Sequence, residues 1–182
     1  MTWMIILVVL LVVVLGWGVT TYNKLVGERE FVRNSMGQIA AQIESRWDAL
    51  KNMIDGTKQY QTHEASVLTE ITEKRASLGR TASVDDVEKD NALFGQAMNQ
   101  LFAVAENYPD LKASEIYQQT LANVDKYEQQ VRQSRMVYND TVTKYNRTIQ
   151  SVPSNIIAGL FRFVQEAYFE ASAEKADMPS WS

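Results

Sequence analysis

The chain's single His, His63, is followed by Glu64. A His-Glu pair opens the H-E-x-x-H helix of zinc hydrolases, where two imidazoles one turn apart hold the metal and Glu takes a proton from water. The second His belongs at position 67, which is Val67, so the zinc reading lacks a ligand. Asp85, Asp86, Glu88 and Asp90 form an acidic cluster, but acids in the first turn of a helix are expected from its dipole alone. There is no Cys, which excludes disulfides, thiolate metal sites and cysteine nucleophiles. No G-x-S-x-G and no P-loop string occurs, so serine and phosphate chemistry have no supporting context. Tyr127, Tyr138 and Tyr145 suit core gaps, with hydroxyls bonded at a bundle edge, better than a cofactor site. The expectation is a non-enzyme with no catalytic, cofactor or metal residues. A formal charge of −4 also argues against a nucleic-acid footprint.

The elements that would position any site divide sharply by charge. All 18 basic and 22 acidic residues follow Asn23 in a chain of 182. Trp3 to Val19 reads WMIILVVLLVVVLGWGV, and about 20 such residues in a helix cover the roughly 30 Å of a bilayer's hydrocarbon core. Within lipid the backbone must satisfy itself, which enforces a helix over the modest propensity loss of Val and Ile. Trp3, Ile6, Val9, Val13 and Trp17 mark the expected span, with Trp3, Trp17 and Tyr22 near its two boundaries. A cleaved signal would want a basic start and a shorter apolar core, so a retained anchor over 1–23 is the reading. Lys24, Arg29 and Arg33 follow the span, and the positive-inside bias then places the body in the cytoplasm in preference to the periplasm.

After the anchor, apolar residues at Leu25, Val32, Met36, Ile39, Ile43, Trp47, Leu50, Ile54, Tyr60, Val67 and Ile71 fall at helical steps with no Pro before Gly79. One helix therefore leaves the membrane and projects about 80 Å. Gly79 to Ser83 is a turn, and Ser83 with Asp86 is a capping-box variant that starts a second helix. That helix carries Val87, Phe94, Met98, Leu101, Val104 and Tyr108, and Pro109-Asp110 ends it. Ser114 caps a third stripe through Tyr117, Leu121, Val124, Val131, Tyr138, Val142, Tyr145 and Ile149, broken at Glu128 and Arg135, before Pro153. Ser154 or Asn155 can cap a fourth, from Ile156 to Phe169. The fold class is all-α: a transmembrane helix continuing into a long antiparallel bundle of about four helices. The bundle is expected over 24–174, with a loose tail at 175–182 in which Trp181 could dock.

Several strings resemble the LemA family of bacterial membrane proteins: Tyr22-Asn23-Lys24-Leu25-Val26, Tyr60-Gln61-Thr62-His63-Glu64, Glu106-Asn107-Tyr108-Pro109-Asp110-Leu111-Lys112-Ala113, and Tyr138-Asn139-Asp140 through Tyr145-Asn146 to Pro153-Ser154-Asn155-Ile156-Ile157. The resemblance covers nearly the whole chain and implies an N-terminal membrane helix with an antiparallel bundle. The family includes a magnetosome-associated relative, so membrane-compartment organisation is one implied theme. The chain departs from the family pattern at Ser35-Met36-Gly37-Gln38 and at Asp48 to Ile54, where a Pro is common. Its absence should leave the first helix straighter.

The last helix carries more apolar surface than one bundle stripe needs. Ile157, Leu160, Phe161, Phe163, Val164, Tyr168 and Phe169 are the candidate interface, either with another subunit or with the bilayer. The first stripe is also longer than its neighbours can cover. Together these point to a non-enzymatic, homo-oligomeric scaffold or membrane organiser at the bacterial inner membrane, with the lipid bilayer as partner. The alternative is an adaptor presenting its bundle to another membrane protein, such as a protease or signalling kinase.

Overall fold

The structure, a computed structural model, describes residues 1–57 and 78–170. Among them are five helices and no strand: α1 (Thr2–Thr57), α2 (Val84–Asn107), α3 (Pro109–Ala113), α4 (Glu115–Gln150) and α5 (Ser154–Leu160). His63, Glu64, Tyr60, Val67, Ile71 and Trp181 lie outside the described residues, as does the tail.

α1 runs unbroken for 56 residues, about 84 Å at 1.5 Å per residue. With no Pro at 48–54, nothing interrupts its hydrogen-bond ladder there. Its first part is apolar around its whole circumference, and Trp3, Ile6, Val9 and Val13 are exposed. This is one helix long and apolar enough to cross a membrane. Burial begins at Thr21 and Leu25, and from there a stripe through Val32, Met36, Ile39, Ile43, Trp47, Leu50 and Ile54 is covered. Each such side chain contributes about 1.5–3 kcal/mol.

α4 is the main partner of α1 and runs antiparallel to it, with Glu128 against Arg46 far from the apolar head and Thr141 against Ser35 nearer to it. α2 starts where its sequence says it should. Ser83 accepts from the Asp86 N–H while the Asp86 carboxylate accepts from the Ser83 N–H, both termini of a capping box. α2 runs parallel to α1, since Arg80 lies beside Gly37 and Asp90 beside Trp47. Pro109 ends α2 and occupies the first turn of the short α3, where its missing N–H costs nothing. Ser114 then caps α4 by accepting from the Tyr117 N–H.

The fourth helix is shorter than its periodicity predicts. α5 stops at Leu160, and 163–170 is an extended strap without helical hydrogen bonds. Its start also differs: Pro153 is the N-cap, and the Ser154 hydroxyl instead donates to the Thr148 and Ser151 carbonyls. A Schellman motif closes α5, with Phe163 N–H on the Ala158 carbonyl, Arg162 N–H on the Gly159 carbonyl, and Arg162 at φ 55°. That left-handed residue turns the chain sharply out of the helix.

Candidate membrane-proximal interface

The two charged breaks in the α4 stripe are where polar groups enter the core. Arg46 is fully buried and reaches three acceptors: the Glu128 carboxylate, Asp90 Oδ2 at 3.0 Å and Asn91 Oδ1 at 3.0 Å. Trp47 Nε1 donates to the same Asp90 carboxylate. The Arg46 guanidinium also lies 4.1 Å from the Phe94 ring centre. Arg46 on α1 thus bonds to both α2 and α4, so this centre holds the three helices in register. The acidic cluster is dispersed accordingly. Asp85 pairs with Lys89, Asp86 caps, Glu88 meets Arg135 and Asp90 is buried on Arg46. The Ser83 bonds hold the Asp86 carboxyl below its ordinary value. Among the described residues no group of three His, Cys, Asp or Glu is placed to hold a metal.

Nearer the apolar head, α4 holds the strap through side-chain amides. Asn146 donates to the Glu166 carbonyl and accepts from the Glu166 N–H, at 2.9 and 3.0 Å. Asn139 does the same for Phe169, at 2.9 Å in both bonds. Tyr138 donates its hydroxyl to the Ala167 carbonyl. Each asparagine thus presents the donor–acceptor pair of a neighbouring β-strand. Two helical turns span about 10.5 Å, and three residues of extended chain cover about 9–10 Å, which is why amides seven apart on α4 clamp residues three apart on the strap. Burial pushes the Tyr138 hydroxyl up to about 12, with the Glu166 carboxylate adding to it. Tyr145 is buried alongside, whereas Tyr127 is half-buried.

The seven residues expected at an interface separate into two sets. Phe163 and Phe169 point inward: Phe163 packs on Tyr22 and beneath Arg29, and Phe169 packs on Tyr138 and beneath Arg135. Ile157 faces Gly18 of α1, its Cδ1 3.6 Å from where a Cβ would stand. Leu160, Phe161, Val164 and Tyr168 remain exposed, joined by Val152 and Ile156. Phe161 also touches the Tyr22 ring, 4.6 Å between centres.

Glu28 is a residue that sequence reasoning passed over. It lies on the α1 stripe between Leu25 and Val32, is buried, and neither carboxylate oxygen has a hydrogen-bond partner. With Phe31, Thr141 and Lys144 it lines an open pocket of about 220 Å³. An acid at a stripe position was its signal in the sequence.

The sequence model of the LemA family matches residues 35–181. The chain is similar to Protein LemA of Metamycoplasma hominis, 28% identical over 86% of this chain and 72% of that protein. It is also similar to magnetosome protein MamQ 2 of Paramagnetospirillum magneticum, 30% identical over 42% of this chain, and to magnetosome protein MamQ of Magnetospirillum gryphiswaldense, 26% identical over 42%. The aligned stretch spans 28% of the length of either magnetosome protein.

Proposed function

The chain belongs to the LemA family, and from that premise we propose that it is a membrane-anchored, self-associating scaffold, not an enzyme, that organises a bacterial inner membrane. One observation carries this reading: α1 passes without a break from an apolar, uncovered segment into the centre of the bundle core, so the body is rigidly joined to an anchor. A cleavage behind the apolar run would cut through this helix, which favours retention. The positive-inside bias of Lys24, Arg29 and Arg33 supports a cytoplasmic body in preference to a periplasmic one. The magnetosome proteins among its relatives support a role in shaping or populating membrane compartments.

Self-association needs a surface other than the described part of the first stripe. The α1 stripe from Leu25 to Ile54 is covered within a single chain. Phe31 of α1 and Met136 and Val137 of α4 are instead exposed, with Phe31 and Val137 each one turn from the Ser35–Thr141 hydrogen bond. Full-length protein in detergent or nanodiscs at micromolar concentration should have the mass of a multimer, and Phe31→Asp with Val137→Asp should reduce it to one copy. A parent protein that is already monomeric refutes the scaffold. Cross-linking to a foreign membrane protein at fixed stoichiometry, without self-cross-links, identifies an adaptor instead.

A further inference from the structure

We infer that α5 and the turn after it form a second bilayer contact, a short apolar wedge lying in the membrane interface beside the α1 span, with lipid acyl chains as its occupant. This rests on the anchored reading above. The first support is position. Ile157 packs at Gly18 and Phe161 at Tyr22, both inside the uncharged run that ends at Asn23. Gly18 is five residues before that end, about 7 Å along a helix, and interfacial helices bury their apolar faces about 5–10 Å deep. If α1 crosses the bilayer, α5 is carried to its boundary.

The second support is composition and exposure. Arg147 and Arg162 bracket 14 residues without a charge. Val152, Ile156, Leu160 and Val164 in and beside that stretch are 80%, 63%, 72% and 69% exposed within the single chain. Arginines at both ends of an apolar turn can lay their stems along it while their guanidinium groups reach lipid phosphates. The third support is backbone satisfaction. The carbonyls of Ile157, Ala158 and Gly159 accept from Phe161, Phe163 and Arg162, and the Ser154 hydroxyl is used internally. The wedge therefore brings few unmet polar groups into lipid.

Because the chain contains no Cys, single cysteines report without background. Full-length I156C and L160C, each carrying an environment-sensitive fluorophore, are reconstituted in phosphatidylethanolamine–phosphatidylglycerol vesicles containing nitroxide lipids, with V9C as the span reference and I116C at the distal start of α4. Nitroxides high on the acyl chain should quench I156C and L160C several-fold more than I116C, while deeper nitroxides quench V9C. If positions 156 and 160 behave like 116 while V9C is quenched, the wedge is wrong and the anchor stands. A blue-shifted but unquenched 156 or 160 means protein covers the ridge, such as a second copy, and also overturns it. Unquenched V9C removes the anchored reading and the wedge together.

Discussion

At the scale of single residues, the informative positions are those where an apolar stripe carries a charge. Arg46, Asp90 and Glu128 are all such positions, and their mutual bonds make each removable only at the expense of the others. Arg46→Met leaves Asp90 buried with only the Trp47 N–H, and breaking a buried pair in this way costs about 3–5 kcal/mol. Chemical denaturation should show that loss, and Asp90→Leu added to Arg46→Met should recover much of it; a double variant as unstable as the single would refute the pairing. Glu28 is the opposite case, a buried carboxylate without a partner. Glu28→Gln keeps its shape and removes its charge, so stability should rise by about 1–3 kcal/mol. A loss of stability on this change would mean that the carboxylate is engaged in solution, with Lys144 of the same pocket a candidate partner.

At the scale of elements, the starts of α2 and α4 were legible because each rests on a local hydrogen bond: Ser83 with Asp86, and Ser114 with Tyr117. The strap was not legible. Phe163, Glu166 and Phe169 face the bundle, and a three-residue step is shared by one side of a helix and by an extended chain of threefold repeat. Only the partners decide, and those are Asn139 and Asn146, whose amides replace helical hydrogen bonds with strand-like ones. Of the candidate interface residues, Leu160, Phe161, Val164 and Tyr168 are exposed while Phe163 and Phe169 are buried, and which half faces outward depended on this conformation. The strap also makes alkaline stability specific. Tyr138 ionises near 10.0 in an unfolded chain and near 12 when folded, so the stability due to its neutral hydroxyl is complete below pH 10 and lost as pH rises toward 12. The slope is about 1.4 kcal/mol per pH unit. Tyr138→Phe should lose that component when unfolding is followed across this range, and an unchanged slope would place the phenol in water.

At the scale of the whole molecule, the central feature is phase between span and body. No Pro or Gly lies between Val19 and Val26, Thr21 is already buried, and Tyr22 packs on Phe161 and Phe163. The bundle therefore grips α1 before it leaves the apolar run, and a given face of the span must point under a given face of the body. Inserting one Ala between Tyr22 and Asn23 turns the span by about 100° and lengthens it by about 1.5 Å relative to the body. Gly18 then rotates away from Ile157, which α4 and the strap keep with the body. In a G18C/I157C chain, a short bis-maleimide should join the two cysteines in the parent and do so several-fold less after the insertion. Equal yields would show that the helix swivels at the boundary, and a swivelling anchor could not transmit the orientation of one body to its neighbours in a membrane array. A seven-residue insertion brings the helix back to within about 20° of its phase but about 10 Å too far along, so the cross-link should stay low there too. The contact requires both angle and height, and one continuous helix sets both.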